Sequence, residues 1–140
     1  MLNGLKEIGN PSLIAIHDGV RPLVSKKTIT DCFNVAEEMG TAVPVLPLKD
    51  SIREVMGEDS VSRKRSMFKI VQTPQIFQSE ILLDAYDTEY QENFTDDASV
   101  VENAGYKIYL SEGNEENIKI TSPIDLKMAE MLLANVSSEG

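Results

Sequence analysis

A strand–helix–strand order between residues 12 and 46 constrains the fold more than any other feature of the sequence. The short apolar run Ser12–Ile16 is typical of a buried strand. Apolar positions over residues 25–39 keep the helical spacing, Ser25 is a favourable N-cap, and Gly40 follows as the expected C′ residue. Thr41–Leu46 predicts a second buried strand. Alternating strands and helices indicate an α/β layered sheet.

The rest of the chain continues this alternation, and no repeat or linker divides it, so the sequence predicts a single domain over residues 1–140. We expect Thr95 to cap a short helix, with Asp96 and Asp97 in its first turn. The other predicted elements are helices over 2–9, 79–92, 95–104 and 122–136, strands over 106–110 and 118–120, and a frayed tail over 137–140.

Residues 50–72 differ from this pattern and predict a β-arm that stands away from the core. Polar and apolar residues alternate over 51–55, a Gly57 turn follows, and Ser66–Val71 is the predicted returning strand. The arm also holds the basic cluster Arg63, Lys64, Arg65 and Lys69.

Charge and cysteine content exclude several classes of function. The chain has 13 Lys plus Arg against 23 Asp plus Glu, a net charge of −10, which disfavours general binding to nucleic acid or to an anionic membrane. No apolar run approaches the length of a membrane span. The single Cys32 excludes a disulfide framework and falls on the apolar face of its predicted helix. We therefore expect a cytoplasmic protein.

Two charged residues follow the first predicted strand, at the sheet edge where α/β proteins bind ligands. Asp18 can hold a ribose hydroxyl or a hydrated Mg²⁺, or it can cap its own turn. Arg21 can pair with Asp18, grip a phosphate, or lie on the surface. His17 points to the opposite face from Asp18, so a structural role is expected for it.

Three further features can be interpreted as either structural or functional. The run Arg63-Lys64-Arg65 is a solvated loop, a nucleic-acid patch or, in a chain of net charge −10, an anion clamp. Thr73 lies before Pro74 and is held extended, as in an inert loop or a binding edge. Lys119 alternates with Ile118 and Ile120, so it faces either solvent or a cleft. No autonomous motif such as a P-loop or His-Glu-x-x-His occurs. Composition and spacing alone stop at an acidic α/β domain with a phosphate site.

Five ordered blocks resemble those of the 2-C-methyl-D-erythritol 4-phosphate cytidylyltransferase family of the non-mevalonate isoprenoid pathway. Together they extend over nearly the whole chain, and their order makes the resemblance specific although each block is weak alone. The blocks are His17-Asp18-Gly19-Val20-Arg21-Pro22, Leu48-Lys49-Asp50-Ser51-Ile52, Gln72-Thr73-Pro74-Gln75-Ile76-Phe77, Thr95-Asp96-Asp97-Ala98-Ser99 and Asn117-Ile118-Lys119-Ile120-Thr121.

The resemblance implies a Rossmann-like layered sheet of the nucleotide-diphospho-sugar transferase type with a protruding β-arm. It also implies an inline transfer in which the phosphate of 2-C-methyl-D-erythritol 4-phosphate attacks the α-phosphate of CTP. Pyrophosphate leaves with Mg²⁺, the implied cofactor, which is bound mainly through the CTP phosphates. Two arms embrace in the family's homodimer, so the implied partner is a second copy.

The same resemblance assigns roles residue by residue. Arg65 and Lys119 correspond to catalytic residues that position the methylerythritol phosphate, with Arg65 serving the partner's site. Asp18 lies at the junction of sugar and nucleotide as a catalytic residue and an indirect contact to the metal. The implied substrate-binding residues are Arg21, Ser51, Thr73 and Thr95, with Ser51 standing where the family often has Thr.

The printed sequence departs from the family in one respect. The family opens with a strand and a Gly-rich Leu-Ala-Ala-Gly-x-Gly-x-Arg loop that cradles the triphosphate, and no such segment occurs in these 140 residues. The chain therefore resembles a partial domain, the C-terminal half. Without the cradle we expect the 140-residue polypeptide alone to transfer cytidylyl groups at no useful rate.

Two other functional classes remain open from the sequence. The chain could be a non-catalytic module that binds a sugar phosphate and dimerises. It could also be a receiver domain with Asp18 as phosphoacceptor, although a receiver needs an acidic pair on an earlier strand than Ser12–Ile16.

Overall fold

The computed structural model describes residues 12–87 and 95–139. Strands β1 (Leu13–Ile16) and β2 (Thr41–Pro47) flank helix α1 (Lys26–Met39). The arm contains β3 (Ile52–Met56), β4 (Asp59–Arg63) and a 3₁₀ turn (Arg65–Met67). The chain continues with β5 (Lys69–Val71), β6 (Gln75–Gln78), α2 (Ser79–Tyr86), α3 (Asp97–Asn103), β7 (Leu110–Glu112) and α4 (Pro123–Glu139). The helix predicted over 2–9 and the residues 88–92 of another lie outside the described residues.

The main sheet is mixed and has the order β1-β6-β2-β5, with β7 pairing with β2. β6 is antiparallel to both β1 and β2, so the two strands joined by α1 run parallel with β6 inserted between them. β7 is parallel to β2. The predicted α/β layered sheet is confirmed.

Two apolar clusters cover the two faces of this sheet and make the fold three-layered. Ile76 and Phe77 are neighbours on β6 and are both fully buried, so their side chains enter opposite layers. Ile76 packs in the cluster under α1, with Cys32 and Ala36. Phe77 packs in the larger cluster under α2 and α3. The expected core position of Cys32 is confirmed, and burial raises the pKa of its thiol.

Helix α1 begins and ends at the residues that the sequence predicts. The Ser25 side chain accepts a hydrogen bond from the backbone N–H of Thr28. Gly40 adopts a left-handed φ of 98°, and its N–H donates to the carbonyl of Ala36. The left-handed conformation of Gly40 ends the helix and lets β2 begin at the next residue.

Several predicted boundaries are wrong. The returning strand of the arm is β4 rather than Ser66–Val71, because the Gly57-Glu58 turn closes the hairpin earlier and β5 pairs with β2 instead. The strand predicted over 106–110 is displaced to β7, and residues 118–120 form no strand. Helix α2 ends at Tyr86 within the described residues, and α4 continues to Glu139 rather than ending at residue 136. β1 is less buried than expected, since Ala15 is exposed.

The arm is a two-stranded hairpin whose register runs from Ile52 opposite Arg63 to Met56 opposite Asp59. Residues 53–71 are all exposed, including Val55 at 73% and Met67 at 78%. A two-stranded hairpin of this kind is marginally stable in water unless other structure supports it.

Within the described residues, no helix combines the length and the apolar character that a bilayer crossing requires.

We predict that Gly40→Ala lowers the free energy of unfolding by about 1–2 kcal/mol, the cost of placing an L-residue in the left-handed region. A methyl group at this position would also lie 2.7 Å from Ile81 Cδ1. Urea denaturation measures the change. Gly19→Ala is the matched control, since a Cβ there meets nothing within 4 Å. Equal stability of the two variants would contradict the prediction.

Candidate functional site

A cleft of about 320 Å³ lies at the carboxyl ends of β1 and β5, beside the start of β6 and the first residues of α3. This is the sheet edge at which α/β folds bind ligands. Five of the predicted site residues line it together: Asp18, Arg21, Thr73, Thr95 and Lys119. The remaining lining residues are Ile16, Val71, Gln72, Gln75, Asp96 and Asp97.

Asp18 and Arg21 form a tight turn at the end of β1. The N–H of Arg21 donates to the carbonyl of Asp18, and Arg21 Nε lies 3.1 Å from Asp18 Oδ2. The Arg21 side chain is only 12% exposed, whereas that of Asp18 is 37% exposed, so solvent reaches the ion pair from the carboxylate side. Of the alternatives that the sequence left open for Arg21, pairing with Asp18 is confirmed.

The guanidinium of Arg21 also ties together two other segments of the cleft wall. Nη1 donates to the carbonyl of Asn117 at 2.8 Å, and Nη2 lies 3.5 Å from the carbonyl of Val71. A guanidinium has five N–H donors, so these contacts occupy most of its capacity. Arg21 therefore shapes the cleft, and its predicted contact with substrate stays a prediction.

Two buried carboxamides, Gln72 and Asn117, hold the floor of the cleft. Asn117 Nδ2 donates to Gln72 Oε1 at 3.3 Å and to the carbonyl of Thr73 at 2.8 Å. Gln72 Nε2 donates to the carbonyls of Asn114 and Asn117. Asn117 Oδ1 is buried and has no hydrogen-bond partner among the described residues. The pair joins the strand that leaves the arm to the loop that carries Lys119.

Thr73 also lines the cleft, and its hydroxyl contacts two consecutive residues after β1. The N–H of Asp18 donates to Thr73 Oγ1 at 2.9 Å, and His17 Nδ1 lies 2.9 Å from the same oxygen. His17 Nε2 lies 2.8 Å from the carbonyl of Arg21. Asp18 reaches this oxygen through its backbone N–H, whereas its carboxylate pairs with Arg21, so the side chains of His17 and Asp18 contact different groups.

Asp96, not Thr95, caps α3, which corrects the sequence prediction. Asp96 Oδ1 accepts from the N–H of Ser99 at 2.9 Å. Gln75 holds this cap in place: its Nε2 donates to Asp96 Oδ2, and its Oε1 accepts from the N–H of Ala98. A carboxylate accepts two N–H bonds here more strongly than a hydroxyl can. Thr95 is consequently exposed at the cleft, with only a 3.4 Å approach of its Oγ1 to the Ser99 hydroxyl.

Lys119 enters the cleft from an extended loop rather than from the predicted strand. The N–H of Ile120 donates to the carbonyl of Val20, which positions the loop against the turn after β1. Downstream, Asp125 Oδ2 accepts from the N–H groups of Thr121 and Ser122. These bonds, first that from the Thr121 backbone, lower the pKa of the Asp125 carboxyl. Lys119 itself makes no hydrogen bond or ion pair to any described residue.

Arg65 and Ser51 do not line the cleft. Arg65 lies in the 3₁₀ turn of the arm, where Nη1 donates to the carbonyl of Lys49 at 2.6 Å. Ser51 is exposed at the base of the arm. Nearby, Lys49 pairs with Glu115, and this contact raises the pKa of the lysine. Arg65 and Ser51 therefore lie outside this cleft in a single chain.

The sequence analysis assigned no role to Gln72, Gln75 or Asn117, yet these buried amides hold the cleft together. The sequence does place these amides next to apolar residues. An amide buried there needs hydrogen-bond partners, so a structural role could have been predicted. The pattern could not show which partners they have, since these partners lie between 21 and 45 residues away in sequence.

No group of three His, Cys, Asp or Glu side chains is placed to bind a metal ion within residues 12–87 and 95–139. The three carboxylates of the cleft are already engaged: Asp18 with Arg21, Asp96 with Gln75, and Asp97 with Tyr86.

Comparison with known proteins identifies one family. The family model described as 2-C-methyl-D-erythritol 4-phosphate cytidylyltransferase matches residues 1–135. Curated relatives of that name include those of Phocaeicola vulgatus, 44% identical over 94% of this chain, and Porphyromonas gingivalis, 46% identical over 95%. The chain spans about 60% of the length of each of these relatives.

Solved structures give the same result. The cytidylyltransferase of that name from Thermus thermophilus is 36% identical with a TM-score of 0.81, covering 94% of this chain and 66% of its own. A 4-diphosphocytidyl-2C-methyl-D-erythritol synthase from Anaerococcus prevotii is 25% identical with a TM-score of 0.84, covering 95% of this chain and 64% of its own.

We predict that Asn117→Asp lowers the free energy of unfolding by about 3 kcal/mol at neutral pH. The change buries a carboxylate against Gln72 Oε1 and the Thr73 carbonyl, both of which are acceptors. Chemical denaturation measures the effect. Asn34→Asp, at an exposed position on α1, is the matched control and should change stability by less than about 0.5 kcal/mol. A small effect at position 117 would show that the amide pair does not hold the cleft.

Proposed function

The chain belongs to the 2-C-methyl-D-erythritol 4-phosphate cytidylyltransferase family, and we propose that it supplies the acceptor site of such an enzyme. The proposed reaction moves a cytidylyl group from CTP to 2-C-methyl-D-erythritol 4-phosphate in isoprenoid synthesis. In this reaction this chain binds and orients the acceptor. The receiver-domain interpretation is wrong, because the chain belongs to a different family.

One observation carries this proposal: five side chains from four separate sequence blocks line a single cleft. The volume of about 320 Å³ suits a small polar molecule. The cleft offers a cation at Lys119, hydroxyls at Thr73 and Thr95, and a carboxylate at Asp18. A polyol phosphate presents the matching groups, namely an anion at one end and hydroxyls along its carbon chain.

Lys119 is the residue best placed to bind the acceptor phosphate. Its ammonium has three donors and no described partner, while the guanidinium of Arg21 already pairs with Asp18 and donates to the carbonyl of Asn117. A charge-assisted bond from an unpaired lysine to phosphate is about twice as strong as a neutral hydrogen bond. Lys119 therefore orients the phosphate oxygen that attacks the nucleotide.

The charges of the cleft support the participation of a second copy of the chain. Three carboxylates, Asp18, Asp96 and Asp97, outnumber the two cations of the lining, Arg21 and Lys119. A phosphate dianion needs more positive charge than this surface supplies. The basic, exposed arm is the obvious source, so we propose a homodimer in which Arg65 of each arm reaches the cleft of the other subunit.

The proposed chemistry is an inline displacement at phosphorus. An oxygen of the acceptor phosphate forms a bond to the α-phosphorus of CTP, the bond from that phosphorus to the bridging oxygen breaks, and pyrophosphate leaves with the electron pair. Such transfers depend on positioning and on stabilising the charge that develops, with no covalent step on the protein. Lys119 and Arg65 serve both purposes at the acceptor phosphate.

The residues of the cleft fit Mg²⁺ only as an indirect partner. Asp18 Oδ2 is paired with Arg21, which leaves Oδ1 as the one oxygen of that carboxylate able to contact the hydration shell of a metal ion. We propose that Mg²⁺ arrives on the CTP phosphates, where it neutralises their charge, and that Asp18 contacts it through water.

A non-catalytic module that binds a sugar phosphate and dimerises is the alternative function. The same cleft and arm favour it, because both lie within this chain. A pyrophosphate-release assay with CTP and methylerythritol phosphate separates the two when the family's Gly-rich segment is joined to this chain. The acceptor half of an enzyme then turns over, whereas the module still binds the acceptor without turnover.

Lys119→Ala should weaken the binding of methylerythritol phosphate roughly tenfold to a hundredfold, through the loss of one charge-assisted bond. Calorimetric titration of the purified chain measures this affinity. Lys127→Ala removes the same charge from an exposed position on α4 and should change nothing. The proposal fails if both variants lose affinity equally, or if the effect is confined to CTP.

The proposed homodimer predicts that equilibrium sedimentation finds two chains per particle. Arg65→Ala should then weaken methylerythritol phosphate binding as Lys119→Ala does. Mixing equal amounts of the two single variants restores one complete site in every mixed dimer, and mixed dimers make up half of all dimers after random exchange. Monomers at high concentration, or no recovery on mixing, would contradict the exchange of arms.

A further inference from the structure

The Thr73 hydroxyl makes two contacts whose directions can be assigned. The N–H of Asp18 can only donate, so Thr73 Oγ1 accepts at 2.9 Å. The second contact, 2.9 Å to His17 Nδ1, depends on which ring nitrogen carries the proton.

The carbonyl of Arg21 identifies one ring nitrogen of His17 that carries a proton. It lies 2.8 Å from His17 Nε2 and can only accept, so Nε2 must carry a proton. In the neutral ring Nδ1 is then an acceptor, and the Thr73 hydroxyl donates its single proton to it. The imidazole thus joins the turn after β1 to the cleft wall through two bonds of fixed direction.

This arrangement leaves the Thr73 oxygen with one free lone pair and no proton for the cleft that it lines. Toward a ligand it can only accept a hydrogen bond. A phosphate dianion also offers only acceptors, whereas an alcohol can donate.

We propose that His17 is a positioning residue that sets the hydrogen-bond polarity of Thr73, so that Thr73 recognises a hydroxyl of the bound polyol and not its phosphate. The identity of the polyol rests on the proposed function; the polarity of Thr73 does not. Lys119, with three donors, takes the phosphate end, and the two residues fix which way round the acceptor lies in the cleft.

The first test needs no ligand. His17 is the single histidine of the chain, so ¹⁵N-histidine labelling reports one pair of ring nitrogens. At neutral pH we expect a neutral ring with the proton on Nε2 and a hydrogen-bonded acceptor at Nδ1. Thr73→Val should shift the Nδ1 resonance and Thr73→Ser should not. A proton on Nδ1, alone or in addition to Nε2, would overturn the inference whatever the protein binds.

The second test compares the affinities for methylerythritol phosphate and for inorganic phosphate, measured by NMR titration. The preference of the wild type for the polyol phosphate should fall roughly twofold to tenfold in Thr73→Val, the loss of one neutral hydrogen bond, while inorganic phosphate binds as before. His17→Leu frees the Thr73 proton and should reduce the same preference. His17→Asn places a carbonyl oxygen near the position of Nδ1 and should restore it.

The outcomes separate this inference from the proposed function. A purely structural role for His17 would weaken both ligands in proportion, or would not be rescued by Asn, and either result overturns the inference. A wild type that fails to bind methylerythritol phosphate overturns the proposed function, and the ring-nitrogen spectra still decide the polarity of Thr73.

Discussion

The buried amide pair of Gln72 and Asn117 is the interaction on which the rest of the site depends. Asn117 Nδ2 reaches both Gln72 Oε1 and the Thr73 carbonyl, so it links the strand leaving the arm to the loop of Lys119. Arg21 adds the turn after β1 to the same node by donating to the Asn117 carbonyl. Buried hydrogen bonds of this kind are costly to leave unmade, which makes the relative positions of three distant segments a single cooperative arrangement.

The two cations of the cleft differ in their surroundings. Arg21 pairs with Asp18 and donates to the backbone carbonyls of Asn117 and Val71. Lys119, on the neighbouring loop, makes no hydrogen bond or ion pair to any described residue. Arg21 therefore stabilises the cleft wall, whereas Lys119 is the cation that the proposed function assigns to the acceptor phosphate.

The sequence predicts the elements whose signals are local. The cap at Ser25 and the left-handed residue at Gly40 follow from side-chain chemistry within one turn, and both are confirmed. The prediction that Thr95 caps α3 is wrong because the choice between Thr95 and Asp96 is made by Gln75, which is distant in sequence and donates to the aspartate. The strand predicted around Lys119 is wrong for a similar reason: its alternation is genuine, but its backbone bonds to the turn at Val20 instead of to a strand. The gathering of Asp18, Arg21, Thr73, Thr95 and Lys119 was reached through resemblance, since no local rule brings five separate residues together.

The arm stands apart from the main sheet because its stabilising contacts are local. Hairpin β3–β4 is closed by its own turn and by pairs such as Arg53 with Ser60 and Arg63 with Glu54, none of which involves the sheet. Its apolar side chains, such as Val55 and Met67, stay exposed in one chain, and Arg65 uses only one donor, on the Lys49 carbonyl. The arm therefore presents exposed apolar surface together with guanidinium N–H groups that have no partner among the described residues. Both features favour contact with another molecule. In the cleft, carboxylates outnumber cations, so the binding of a phosphate there requires additional positive charge. The proposed exchange of arms with a second copy of this chain would bring basic side chains to the cleft and would give the exposed hairpin a surface to contact.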